Sequence, residues 1–285
     1  MLGRLDKILV HRYGCSVLGI ENKTKFVLNR LARKVCRWLG KSIDPLRQPF
    51  DLIGKATFIS YDGLLFEGFD DGLRICIYPH ETHYLRWTME ILSEYERRRI
   101  PINVLDVGAH IGSYAIRVAK TMKDRGINGL VIAIEPDPRN AEYLLRNAIL
   151  NSVEDRIVLL NVCVANANFV ARFTIYNRSD HGSLLPRNDS VAVARIDRFC
   201  ARLDDIVRIP VHIMKIDVEG AEHSVIKGAE KLIAVHRPAI LLEVHLGEEE
   251  LEKIMDKLKP YGYYEVERVV DEKNPRHIHV WLDVR

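Results

Sequence analysis

Apolar positions in this chain change period several times, and each change marks an element. Between residues 21 and 43, Val27, Leu31, Val35 and Trp38 recur at helical spacing among Lys23, Lys25, Arg30, Arg33, Lys34, Arg37 and Lys41. That pattern predicts a basic amphipathic helix. A proline-containing link at 44–49 follows. The segments ATFISYDGLLFEGF and LRICIYP then alternate apolar and polar residues on either side of Asp70-Asp71-Gly72, which predicts an antiparallel hairpin. HETHYLRWTMEILSEYERRR reads as a helix that stops before Pro101, because proline pushes the residue before it out of the α region.

Beyond residue 100, the short apolar runs INVLDVG, LVIAIEP, IVLLNVCVA, HIMKIDV and AILLEVH are interleaved with helical stretches at 113–123, 139–150 and 221–235. Five β units with α crossovers predict a parallel sheet covered by helices on both faces. GYYEVERVV and HIHVWLDV follow across DEKNPR with no helix between them, so they are expected to pair as an antiparallel hairpin at the sheet edge. The expected fold is α/β, with a doubly wound, mostly parallel seven-stranded sheet.

Composition narrows the picture. The 285-residue length suits one large core with an elaboration, and 47% apolar with 28% charged residues excludes wholesale disorder. A net charge of +3 is too weakly basic to imply nucleic acid by itself. The local charge at 21–43 fits an anionic membrane surface or RNA, and equally a docked helix with a solvated basic face, which is the reading taken here. Cys15, Cys36, Cys76, Cys163 and Cys200 form no CxxC pair, so neither a zinc site nor a disulfide framework is expected. Without a run of about 18 apolar residues or a signal-peptide pattern, the chain is expected to be cytoplasmic, with peripheral membrane contact through 21–43 as the alternative.

VLDVGAHIG carries a strand into a glycine turn that opens a helix. In a doubly wound sheet, ligands collect at the carboxyl ends of the strands where strand order reverses. The spacing Gly108, His110, Gly112 departs from the dinucleotide fingerprint, because His110 stands where a second glycine lets backbone approach a pyrophosphate. A nucleoside without phosphates is therefore the expected ligand. Glu135 ends the second strand 23 residues after Gly112, the position of an acidic residue that accepts hydrogen bonds from ribose hydroxyls. Asp137 is expected to cap the next helix. Asp106, Gly108, His110, Gly112 and Glu135 form the expected cofactor set.

VLDVGAHIGSYAI, AIEPDPRNAEYLLRNAILN, IMKIDVEGAEHSVIKGAEKL and PAILLEVH, in that order over residues 100–250, resemble the FkbM family of S-adenosylmethionine-dependent methyltransferases. The resemblance implies a class I methyltransferase fold, with S-adenosylmethionine held by the Gly108–Gly112 turn and Glu135. It implies methyl transfer to a hydroxyl of a sugar, glycolipid or small metabolite. It also implies that the HGSLLP segment, with His181 and Ser183, lies over the acceptor. The expected organisation is a basic helical extension at 1–50, a hairpin and helix at 51–100, and the methyltransferase domain at 101–285.

Methyl transfer is an in-line displacement, so the acceptor oxygen must be held close and aligned, and a hydroxyl must also lose its proton. The fourth and fifth main strands deliver Asp217, Glu219, Glu243 and His245 to the carboxyl edge. His245 is the expected general base, since an imidazole with its ordinary pKa of about 6.5 accepts a proton at neutral pH. Asp217 is expected to orient the hydroxyl or the base, Glu243 to complete the catalytic set, and Glu219 to contact the acceptor. A competing structural reading places Asp217, Glu219 and Glu222 at a helix entry and pairs Glu243 with His245 on one strand face. A divalent metal on Asp217, Glu219, Glu243 and His245, magnesium by its oxygen-rich donors, is an alternative that is not favoured. His277 and His279 are expected on the solvent side of a strand, and Cys163 and Cys200 as inert core residues. RNA methylation, with 21–43 as a phosphate-binding arm, is the competing activity. KIDVEG stands where a base N-methyltransferase carries Asn/Asp-Pro-Pro-Tyr/Phe, which disfavours that class. The intact Asp106, Gly108, Gly112 and Glu135 argue against a degenerate, non-enzymatic fold.

Overall fold

A computed structural model of the chain describes residues 57–68, 82–176, 192–272 and 274–284. The segment 21–43, the Asp70-Asp71-Gly72 turn, His181 and Ser183 lie outside the described residues. The strands β1 (Phe58–Ile59) and β2 (Leu65–Phe66) pair antiparallel. Their turn runs through Tyr61-Asp62-Gly63, where Gly63 takes a φ of +83° and Leu64 N–H donates to Ser60 Oγ at 3.1 Å. The described hairpin thus closes within the first of the two alternating segments. Helix α1 (Thr82–Arg98) ends before Pro101, as the sequence predicts.

Three strands then alternate with two helices: β3 (Val104–Val107), α2 (Ser113–Asp124), β4 (Val131–Ile134), α3 (Pro138–Leu150) and β5 (Ile157–Leu160). After an insertion of β6 (Cys163–Val164), β7 (Phe169–Tyr176), β8 (Ala192–Ala201) and α4 (Leu203–Ile206) come β9 (Ile213–Ile216), α5 (Glu222–Lys227), α6 (Glu230–His236) and β10 (Ala239–Val244). Helix α7 (Glu248–Leu258) leads into β11 (Tyr263–Val270) and β12 (Ile278–Val284). The main sheet has the order β11-β12-β10-β9-β3-β4-β5, parallel except at β11 and β12. This is the expected seven-stranded, mostly parallel sheet with its antiparallel C-terminal pair. The chain moves outward from β3 through β4 to β5, then returns to β9 on the other side of β3. Strand order therefore reverses beside β3, and the crevice opens at the carboxyl ends there.

Every residue of β3, β4, β9 and β10 is buried. Alternation along the strands divides them between two cores. Val104, Val131, Ile213 and Leu241 pack with Tyr84, Trp87 and Leu92 of α1 and Ile116 and Met122 of α2. Leu105, Ile132, Met214 and Leu242 pack on the opposite face with Leu232, Ile233, Leu251 and Ile254. Helix α1 is thus part of the same core as the sheet. Among the described residues, no helix is long and apolar enough to cross a membrane.

The structure departs from the sequence expectation at four places. IVLLNVCVA is two strands, because Val162 N–H turns back to Leu160 O at 3.0 Å and Asn161 Nδ2 donates to Glu135 O at 2.6 Å. Past that kink, β6 joins a separate three-stranded sheet of order β6-β8-β7, whose β7 and β8 the pattern reading passed over. Cys163 and Cys200 are buried register partners in it. The helix expected at 221–235 is interrupted at Gly228, where a Cβ would lie 2.2 Å from Ala165 O, so this backbone approach needs glycine. Helix α7 was also not anticipated.

Candidate active site

The turn after β3 is set by two close approaches. Gly108 has a φ of +89°, and a Cβ on it would lie 1.7 Å from the carbonyl oxygen of Asp217 at the end of β9. Both Gly108 and Ala109 donate their N–H groups to Ile134 O, at 2.9 and 3.0 Å. His110 also takes a positive φ, +51°, which points its N–H to Glu135 Oε2 at 2.8 Å. Gly112, with φ +93°, opens α2, and a Cβ there would press to 2.7 Å on Ile116 Cδ1. On its other oxygen, Glu135 accepts from Asp137 N–H at 2.9 Å and Asn140 Nδ2 at 3.3 Å. Burial, reinforced by the Asp137 carboxylate, pushes the Glu135 pKa up to about 8 against the pull of these three donors. Asp137 caps α3 as expected, accepting from Arg139 N–H at 2.9 Å and pairing with its guanidinium at 2.7 Å. Asp106 lies buried at the end of β3, 4.0 Å from Lys215 Nζ.

The residues expected on the acceptor side gather on the other side of β3. Asp217, Glu219 and Glu222 follow β9, Glu243 lies in β10, and His245 comes just after it. Glu222 is completely buried and does two things at once. Its Oε1 accepts from Gly220 N–H at 2.9 Å, which closes the turn, and lies 2.8 Å from His245 Nδ1. His245 Nε2 faces Glu243 Oε1 at 3.5 Å, Asp217 Oδ1 at 3.8 Å and Glu219 Oε2 at 3.8 Å. Burial alone would lower the His245 pKa, but the Glu222 hydrogen bond and the Asp217, Glu243 and Glu219 carboxylates together raise it to about 10. An imidazole near its ordinary pKa, the premise for His245 as base, is therefore not what the structure provides. Its carboxylate surroundings hold it as an imidazolium at neutral pH.

Three further residues belong to this region and were missed or misplaced by sequence reasoning. Lys215, buried in β9, reaches Asp217 Oδ2 at 3.0 Å and lies 5.5 and 5.8 Å from the ring centres of Tyr84 and Tyr114. Burial raises the Asp217 pKa, but Lys215 and His245 outweigh it, and the net shift is downward. A lysine inside an otherwise apolar strand was the available signal. His279 does not face solvent as expected, because Tyr84 and His83 of α1 pack over it, while His277, just before β12, stays one-third exposed. His279 is buried, with Nδ1 2.9 Å from Tyr84 Oη and 3.7 Å from Glu243 Oε2. His277 Nδ1 is 3.7 Å from Glu243 Oε1, and its ring centre is 4.9 Å from that of His245.

The methyltransferase FkbM domain matches residues 106–264, more than half of the chain. The chain belongs to the FkbM methyltransferase family. As an FkbM methyltransferase it has the class I methyltransferase fold, with the glycine turn at the switch point. It is 27% identical over 171 residues to a protein of Jannaschia sp. (strain CCS1) named as a methyltransferase, covering 56% of this chain and 61% of that one. It is 28% identical over 144 residues to a tRNA (guanine(37)-N(1))-methyltransferase of Paramecium tetraurelia, covering 47% of this chain and 31% of that one. The chain thus spans less than two thirds of the curated relatives it matches. The crystal structure of an FkbM methyltransferase from Methylobacillus flagellatus KT superposes with a TM-score of 0.47 at 21% identity, over 64% of this chain and 43% of that one.

In this FkbM methyltransferase the hairpin and α3 brace the glycine turn. Asn147, fully buried in α3, donates Nδ2 to Glu67 O at 2.9 Å and Ile111 O at 3.0 Å and accepts from Glu67 N–H at 2.6 Å. One turn later, Asn151 makes the same pair of bonds to Leu65, at 2.8 and 2.7 Å. Buried Arg117 of α2 pairs with Asp62 of the hairpin at 2.6 Å.

Proposed function

We propose that this FkbM methyltransferase holds S-adenosylmethionine at the Gly108–Gly112 turn and methylates a hydroxyl of a sugar, glycolipid or small metabolite bound at the His245 cluster. The observation that carries the reading is the Gly108 approach to Asp217 O, which fixes the acceptor cluster directly beside the glycine turn. When bound, S-adenosylmethionine supplies a methyl group on a sulfonium. Of the three protein donors on Glu135, two reach Oε1 and one reaches Oε2, so Oε2 keeps a position for a ribose hydroxyl whether or not the carboxyl carries its proton, which supports its assignment with Asp106, Gly108, His110 and Gly112 to the cofactor side.

On the acceptor side, Asp217, fixed by Lys215, orients the hydroxyl, and Glu219 contacts the same molecule. The hydroxyl proton passes to Asp217, held in a cluster with Glu243 and the His245 imidazolium. The HGSLLP segment, with His181 and Ser183, lies over the acceptor, as the family resemblance implies. Tyr176 and Ala192, which flank the stretch containing it, are register partners at one point of the β7–β8 pair. Arg139 ties that point to the cofactor side by donating to Tyr176 O at 3.3 Å.

The test is transfer of labelled methyl from S-adenosylmethionine into a lysate fractionated into RNA, protein, lipid-linked glycan and small molecules. Label in the glycan, lipid or small-molecule fraction is the expected result. Label in RNA would overturn hydroxyl-metabolite transfer in favour of RNA methylation, the second reading, which the similarity to the Paramecium enzyme supports. Absence of cofactor binding in calorimetry would overturn both.

A further inference from the structure

We propose that the His245 cluster is a site for a divalent first-row transition cation, with His245 Nε2, Glu243 Oε1 and His277 Nδ1 as its ligands. Glu243 Oε1 is 3.5 Å from His245 Nε2 and 3.7 Å from His277 Nδ1. Those separations exceed the usual hydrogen-bond range of about 2.7–3.2 Å. They are close to the spacing of ligands that share one ion: atoms about 2.1 Å from a cation lie about 3.0 Å apart at right angles and about 3.4 Å apart in a tetrahedron. The three ligand atoms all lie within 4.8 Å of one another.

A second observation is independent of the acidic residues. The His245 side chain is nine-tenths buried, and its Nδ1 is anchored 2.8 Å from Glu222 Oε1. That anchor aims Nε2 into the cluster, where it makes no hydrogen bond and meets Glu243, Asp217 and Glu219 only at 3.5–3.8 Å. A carboxylate behind a histidine whose other nitrogen points into a ligand set is the recurrent outer-shell arrangement of metal sites. Four carboxylates surround this imidazole, and a bound cation takes the place of its Nε2 proton and balances their charge. Two ring nitrogens beside a carboxylate favour manganese, iron, cobalt or zinc over magnesium or calcium. The role rests on the function proposed above: the cation polarises the acceptor hydroxyl, and Asp217 receives the proton.

The full chain, stripped with a chelator and kept free of cofactor and acceptor, is titrated with Mn2+ while free ion is followed by electron paramagnetic resonance. Zn2+ retained after desalting is counted by elemental analysis. The expected result is one ion per chain, undisturbed by excess Mg2+. His277→Ala and Glu243→Gln should each weaken binding by at least about 100-fold, and Glu222→Gln by about 10–100-fold, with circular dichroism reporting a folded chain. His277 is one-third exposed, so its replacement spares the core. Absence of saturable binding, or equal affinity in wild type and His277→Ala, overturns the site. Ion binding through His277 in a chain that transfers no methyl group would instead overturn the proposed function and leave the site standing.

Discussion

Replacing Gly108 with alanine tests how the cofactor turn and the acceptor cluster are joined. The new Cβ meets two separate penalties. A φ of +89° is left-handed backbone, which costs an L residue about 1–2 kcal/mol. The Cβ would also lie 1.7 Å from Asp217 O and 2.9 Å from its carbonyl carbon, and backbone atoms cannot step aside by changing rotamer. The ends of β3 and β9 must therefore part, which breaks the 3.0 Å bond from Asp217 N–H to Val107 O. Overpacking costs about 1–3 kcal/mol and the lost hydrogen bond about 1 kcal/mol. Together these make about 3–6 kcal/mol, a large part of the 5–15 kcal/mol typical of a domain. At about 2–4 °C per kcal/mol, the midpoint should fall by roughly 10–20 °C. Gly126→Ala is the control, because Gly126 has a φ of +68° with nothing within 4 Å of its Cβ position. It should lose only the backbone strain of about 1–2 kcal/mol. Urea unfolding of both variants, with turnover measured at a temperature where both are folded, separates the two effects. Equal destabilisation of the two, or wild-type turnover in Gly108→Ala, would refute the claim that this approach holds Asp217 in place.

Other perturbations reach other parts of the site. Glu135 has its pKa raised from 4.5 to about 8, so the folded chain keeps a proton that the unfolded chain loses; that stabilisation is full below pH 4.5 and disappears as pH rises through 8. The shift corresponds to about 5 kcal/mol, so urea stability should fall between pH 5 and 8.5 in wild type and fall much less in Glu135→Gln, and parallel curves would refute the shift. Asn147→Ala leaves Glu67 N–H, Glu67 O and Ile111 O without this partner and should cost about 2–4 kcal/mol in denaturant unfolding; a loss below 0.5 kcal/mol would show that the hairpin does not brace the turn. His245→Ala should keep cofactor affinity within about threefold while turnover drops by at least about 100-fold, and calorimetry showing the opposite split would reverse its assignment.

The geometry of the glycine turn and of Glu135 was legible in the sequence because its determinants are local. A strand running into Gly108 and Gly112, and an acid closing the next strand, need only turn geometry and strand length to be placed. The acceptor side depends on tertiary contacts. Glu222 looks like any acid in a first helical turn until the fold brings His245, 23 residues later, onto its carboxylate. His279 was misread because spacing along the C-terminal pair does not reveal which member pairs with β10. That β12 does so, through the Glu243↔His279 register, is what turns this strand's histidines toward the cluster. By contrast, α7 and the β7–β8 pair carried local signals that were passed over: Leu251, Ile254 and Leu258 at helical spacing behind Glu248, Glu249 and Glu250, and the alternating run VARIDRFC. The split of the 221–235 helix was not local, since it depends on the approach of Ala165 O to Gly228.

The segment before residue 101 reaches both halves of the site, by different physical routes. On the cofactor side the link is polar and directional: Asn147 bonds Glu67 and Ile111 with one amide, so the hairpin and the glycine turn share a single buried group. Under the acceptor cluster the link is packing with a polar tip. Tyr84 and Trp87 of α1 are buried against the sheet, and Tyr84 carries its hydroxyl to His279, which in turn faces Glu243. Thr88 Oγ1, 2.7 Å from Tyr114 Oη, positions the second ring beside Lys215. Asp217 and two aromatic rings surround the buried Lys215 side-chain nitrogen. The position of Asp217 thus depends on α1 as well as on β9. Family resemblance is concentrated in the strands and turns after residue 101, while the floor that holds their charged residues in place is built in part by residues that come before it.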